Sequence, residues 1–204
     1  MSLFLNIVFL TVQVIALYFA IKNYQYLKHT TERYFIFYMV LVVLVEIPAF
    51  IMSKLHVNNL PLYNTYMLLS FIFFFHWFYH ILKQKRLILI MTFLFVAVYV
   101  YNLFNQSFFY GLLSNALAFG TIEILILVSI LYLNILQADY IISYKDSRRF
   151  WIATGLLLFH IGFLPISFFQ QSIDVNSLAY NSIMTLLNVI VYGSFIKGFS
   201  CKAI

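Results

Sequence analysis

Residues 71–95, FIFFFHWFYHILKQKRLILIMTFLF, decide how the chain is read. On either side of Lys83, Lys85 and Arg86 the sequence is almost wholly apolar, from residue 60 to residue 104. A helix crosses a hydrocarbon core of about 30 Å with about 20 apolar residues, so this run is far longer than one crossing needs. The three cations cut it, because charged side chains are costly in hydrocarbon and settle at its boundary. The reading is two spans, near 60–82 and 87–104, joined at a basic corner.

Outward from that corner the same pattern repeats near 3–21, 34–52, 111–136, 150–169 and 178–199. The expected fold is therefore all-α: one polytopic bundle of seven transmembrane helices over residues 1–204. Alternating barrel strands are excluded, because the runs are continuously apolar rather than apolar at every second position. Composition agrees. Of 204 residues, 64% are hydrophobic and 9% charged, with a mean hydropathy of +0.97. A soluble domain carries about 25% charged residues to face water; this chain's solvent, and its first partner, is the lipid bilayer. The first run lacks a basic lead and a small-residue cleavage site, so it reads as a helix that is retained.

Orientation comes from the cations. Lys22, Lys28 and Arg33 follow the first run, and Lys83, Lys85 and Arg86 the third. Lys145, Arg148 and Arg149 follow the fifth, and Lys197 and Lys202 close the chain. Only Lys54 falls on the other side. Basic residues stay cytoplasmic, so the N-terminus is expected outside and the C-terminus in the cytoplasm. The net charge of +6 is then a topology signal, and no direct nucleic-acid partner is expected. The longest cytoplasmic stretch, Gln137 to Arg149, is either a solvated connector or a dock for a cytosolic protein. The outer loops, including Gln170 to Asp174, are short. Cys201 is the single cysteine, which rules out an intrachain disulfide.

Four ionisable side chains lie well inside the runs, away from their ends: Glu46, His76, Glu123 and His160. Such groups tend to face the bundle interior. At about 1.5 Å per residue, Glu46, Glu123, His160 and Asn188 all lie roughly 15–20 Å from the cytoplasmic boundary, as one polar layer near the midplane. Ala116, Gly120, Glu123, Leu127, Ile130 and Asn134 form a stripe on the fifth helix, whose small residues would admit a neighbouring backbone. On the seventh, Asn181, Thr185, Asn188 and Tyr192 share a second stripe. The fifth, sixth and seventh helices are expected to meet along these stripes. Two readings of the layer stand side by side: a polar cavity or proton-responsive switch built on Glu123 and His160, or hydrogen bonds that fix packing.

His76 and His80 share a face of the third helix at the i, i+4 spacing of metal ligands. Seven-helix zinc hydrolases of the ceramidase and progestin-receptor type use such a pair, but near the chain's end and with a further His, an Asp and a Ser. Here the pair sits near the cytoplasmic boundary with no Asp nearby, and reads as interfacial. A retinal protein needs a lysine in the middle of the seventh helix, which offers only Lys197 at its end. No phosphate loop, cysteine cluster or Ser-His-Asp arrangement appears, so neither an enzyme nor a bound cofactor is expected.

Three segments carry a resemblance: Asn59-Leu60-Pro61-Leu62-Tyr63-Asn64, the stretch from Phe150 to Phe159, and Leu187-Asn188-Val189-Ile190-Val191-Tyr192. They are similar to segments of small seven-helix membrane proteins of flavobacteria and their relatives. The resemblance implies a multi-pass protein of the bacterial cytoplasmic membrane. It also implies company: sensor kinases, or the RNA-targeting nuclease of type VI-B CRISPR loci, which small membrane accessory proteins accompany. The expected function is a non-enzymatic sensor or accessory protein acting through a cytosolic or membrane partner, with a homo-oligomer compatible. A small transporter, channel or pore-forming effector using the polar layer is the alternative, and a metal-dependent lipid hydrolase a distant third.

Overall fold

Apolar runs bounded by charge or by Asn and Pro have one way to satisfy their backbone in lipid, the helix. In the computed structural model, which describes residues 3–137, 146–168 and 177–201, each run becomes one. These are α1 (Leu3–Lys22), α2 (Phe35–Lys54), α3 (Leu60–Ile81), α4 (Lys85–Asn105), α5 (Ser114–Leu136), α6 (Arg148–Phe168) and α7 (Leu178–Ser200). A one-turn helix, Tyr24–Leu27, and a 3-10 turn, Thr31–Tyr34, fill the link from α1 to α2. No strand occurs among the described residues. Five helices, α2 and α4 to α7, are long and apolar enough to cross a membrane. The chain is an all-helical bundle of membrane type. In α1 the described apolar stretch, Ile7–Lys22, is shorter, and α3 is diluted by Tyr63, Asn64, Tyr66, His76, Tyr79 and His80. Phe169, Lys145, Lys202, Gln170 to Asp174 and most of the stretch after Gln137 lie outside the described residues.

Two boundaries differ from the sequence reading for identifiable reasons. Lys85 and Arg86 belong to the first turn of α4, not to the corner before it. The fifth helix starts at Ser114 rather than 111 because buried Asn64 of α3 holds the preceding loop in another shape. Its amide donates to the carbonyls of Phe108 (2.8 Å) and Gly111 (2.9 Å), and its oxygen accepts from Leu113 N–H at 3.1 Å. One buried side chain thereby satisfies three backbone groups that have no helix partner.

The helices pack in chain order, and α1 also lies against α7, so the bundle closes into a ring. α3 leans inward and touches α5 as well. α6 stands between α5 and α7: the expected meeting of three helices is two seams that share α6. The α6–α7 seam is made by glycine. A Cβ on Gly155 would fall 2.8 Å from Ser194 Cβ and 3.0 Å from the Val191 carbonyl oxygen, so α7's backbone fills the space a side chain would need. At Gly120 of α5 the space is taken instead by the rings of Phe71 and Phe95, each 2.8 Å from an added Cβ. Side chains there replace the backbone approach that the stripe suggested.

Candidate functional site

Inside the ring lies a cavity of about 580 Å³, walled by every helix except α4. It begins where α2 ends and α3 starts, at Ser53, Asn59 and Leu60, and reaches inward to Tyr38 and Phe195. Of the residues singled out from the sequence, Glu46, His160, Asn181, Thr185, Asn188 and Tyr192 all line it. The stripe on α7 faces this space because its apolar opposite side must face lipid or α6.

Glu123 is not among the lining residues. Thr121 and Leu117 are the α5 side chains that reach the cavity, and at 3.6 residues per turn Glu123 points about 160° away from Thr121. It lies buried on the stripe shared with Gly120, its Oε2 without a hydrogen-bond partner. No hydrogen bond joins Glu123 to His160 among the described residues. His160 instead bonds through Nδ1 to the Leu156 carbonyl at 2.8 Å, with its ring against Phe71, Phe74 and Phe159. His76 and His80 point out of the bundle, their rings 4.5 Å apart. No group of three His, Cys, Asp or Glu gathers around them among the described residues.

Several lining groups were not expected. Tyr38, Tyr63, Tyr66 and Tyr180 join Tyr192 to bring five phenols to the cavity. Tyr63 donates to Glu46 Oε2 at 3.1 Å, and the hydroxyls of Tyr38 and Tyr66 share a hydrogen bond at 3.2 Å. Gln13 of α1, wholly buried, stands near Glu46 and Tyr192 with its amide outside hydrogen-bonding geometry. A glutamine in the middle of an apolar run was the available signal.

Below the cavity is a floor of rings. Phe35 packs edge-on against Phe195 (5.4 Å between centroids) and Trp77 (5.3 Å), with Phe199 and Phe73 completing the cluster. Beneath the rings sits a polar latch. Buried Glu32 accepts at Oε1 from Arg149 Nε (3.1 Å), Thr31 (3.1 Å) and Trp77 Nε1 (3.4 Å). Arg148 donates to the Cys201 carbonyl at 2.8 Å and the Tyr26 carbonyl at 2.7 Å. Those bonds tie the α1–α2 link and α3 to the start of α6 and the end of α7. Glu32 was not singled out from the sequence; as one of only six acids in the chain, placed just before a span, it was legible as a partner for a cation.

No family model, curated protein or solved structure matches the chain. The site is therefore read from its own residues.

Proposed function

We propose that the chain is a non-enzymatic membrane sensor that binds a small amphiphile in the cavity and signals through the latch to a cytosolic or membrane protein. In this reading all seven helices cross the bacterial cytoplasmic membrane, with the N-terminus outside and the cavity opening outward. Nine of the ten Lys and Arg among the described residues then lie at the latch end, where the positive-inside rule wants them. The observation that carries the reading is continuity. Phe195 is at once cavity wall and a neighbour of Phe35, Phe35 rests on Trp77, and Trp77 donates to Glu32. A ligand that moves the wall must disturb the floor and the latch, because packed rings have few alternative arrangements. A kinase or a CRISPR nuclease complex, as implied by the resemblance, would be such a partner.

The aromatic floor also favours a sensor over a transporter, since it stops the cavity short of the other face. The chain's two tryptophans, Trp77 and Trp151, both belong to the latch end, which provides a readout. Trp151→Phe leaves Trp77 as the sole tryptophan, which is excited selectively at the red edge of the indole band. In proteoliposomes, its emission is expected to change saturably on adding at least one of 4-phenylbutylammonium, 4-phenylbutan-1-ol or 4-phenylbutyrate. Proton and potassium flux is expected to equal that of empty liposomes. Unchanged emission with all three probes, together with flux that disappears in Glu46→Gln, would replace the sensor by a transporter.

A further inference from the structure

The cavity's chemistry is one-sided. Among the described residues no Lys or Arg lines it, and Glu46 is the one acid. Glu46 is only 8% exposed, and its close neighbours, the Tyr63 hydroxyl and the Gln13 amide, are both neutral. A carboxyl that deep in a bundle is costly without a positive partner, and the wall provides none.

Three further polar groups can meet a cation in the same way. On α7 the Asn188 amide donates to the Met184 carbonyl and the Thr185 hydroxyl to the Asn181 carbonyl, both at 2.8 Å. One amide N–H of Asn188 and the Thr185 hydroxyl proton are taken by their own helix, so the Asn188 amide oxygen and the Thr185 lone pairs remain as acceptors for a ligand. At His160 a carbonyl can only accept, so Nδ1 carries the proton and, in the neutral ring, Nε2 is an acceptor. Around these acceptors stand the rings of Tyr38, Tyr66, Phe71, Phe74 and Tyr192. Their faces carry the negative side of the aromatic quadrupole and attract ammonium groups. The volume of about 580 Å³ is within the roughly 300–1,000 Å³ typical of small-molecule sites.

We infer that the cavity binds an amphiphilic organic cation, its ammonium head against the Glu46 carboxylate and its apolar body along the aromatic wall. The inference rests on the sensor reading above and names its ligand class. An anion would meet the Glu46 carboxylate and, among the described lining residues, no Lys or Arg. A neutral amphiphile would leave Glu46 without its partner.

The test uses the same three probes, which share one carbon skeleton and differ in the charge of the head. Equilibrium binding of each to the detergent-solubilised full chain at pH 7 is measured against protein-free micelles. The ammonium is expected to bind at least tenfold more tightly than the alcohol, and the carboxylate not measurably. Glu46→Gln is expected to lower ammonium affinity at least tenfold while leaving the alcohol's unchanged, and the retained alcohol binding shows that the variant is folded. Equal affinity for ammonium and alcohol in the unaltered protein, or ammonium binding indifferent to Glu46→Gln, overturns the inference and leaves the sensor reading standing. Tighter binding of the carboxylate does the same. Binding of none of the three overturns both.

Discussion

The two ends of the ring handle buried polarity in opposite ways. At the latch end, polar groups are matched to one another: one carboxylate oxygen of Glu32 collects three donors, and Arg148 bridges two carbonyls from distant parts of the chain. At the cavity end, groups of the same kind stand around an open volume, with Glu46 held by a single phenol and Gln13 by no bond of good geometry. Close packing with dense pairing, where only Nη2 of Arg148 among the described latch atoms is buried without a partner, gives rigidity, whereas room with sparse pairing leaves polar groups able to meet a guest. The bundle is thus built tight where it must hold and open where something is to enter.

The largest break in this comparison is expected at the floor between the two ends. Phe35 is fully buried and touches rings on α3 and α7. Phe35→Ala should lower stability by about 4 kcal/mol, in the range for a buried Phe truncated to Ala. Heat-unfolding of the detergent-solubilised protein, followed by circular dichroism, measures it; a loss below about 1 kcal/mol would mean the floor is not packed as described. The same substitution at the two carboxylates then sharpens the contrast. Glu32→Gln weakens charge-assisted bonds that Arg149 and Trp77 make, and should cost about 2 kcal/mol. Glu46→Gln keeps an oxygen for Tyr63 and is expected to change stability by less than about 0.5 kcal/mol. Equal losses at both sites would remove the distinction between the ends. The smallest effect divides the ends by binding: Glu32→Gln should shift ammonium affinity by less than about threefold, against the tenfold loss at Glu46.

Much of the fold was legible because hydrocarbon length and charge placement are blunt constraints. Lys83, Lys85 and Arg86 divide α3 from α4, and nothing else in the chain competes with that signal. Which face of each helix looks inward was harder. In water the outer face must be polar, but in lipid both faces are apolar and the contrast that marks a face is lost. Only polar residues break the symmetry, which is why Glu46, His160 and the α7 stripe could be placed while Glu123, one residue among apolar neighbours on α5, could not be aimed. Tyr38, Tyr63, Tyr66 and Tyr180 were not singled out, because the commoner use of that side chain at a membrane is as a headgroup anchor. Their role in the cavity depends on tertiary position, which no spacing within one helix encodes. Asn64 escaped notice for a related reason, since it acts on residues far along the chain.

The seam between α1 and α7 has a consequence for how the protein is made. It joins two helices far apart in the chain, so the ring stays open until α7 has been synthesised. Until then Gln13, wholly buried in the finished bundle, has no α7 to cover it and must face lipid, water or an insertion factor. The polar wall that makes the cavity useful is therefore also the chain's point of greatest exposure during biogenesis, and premature release would strand an unsealed half-ring in the bilayer.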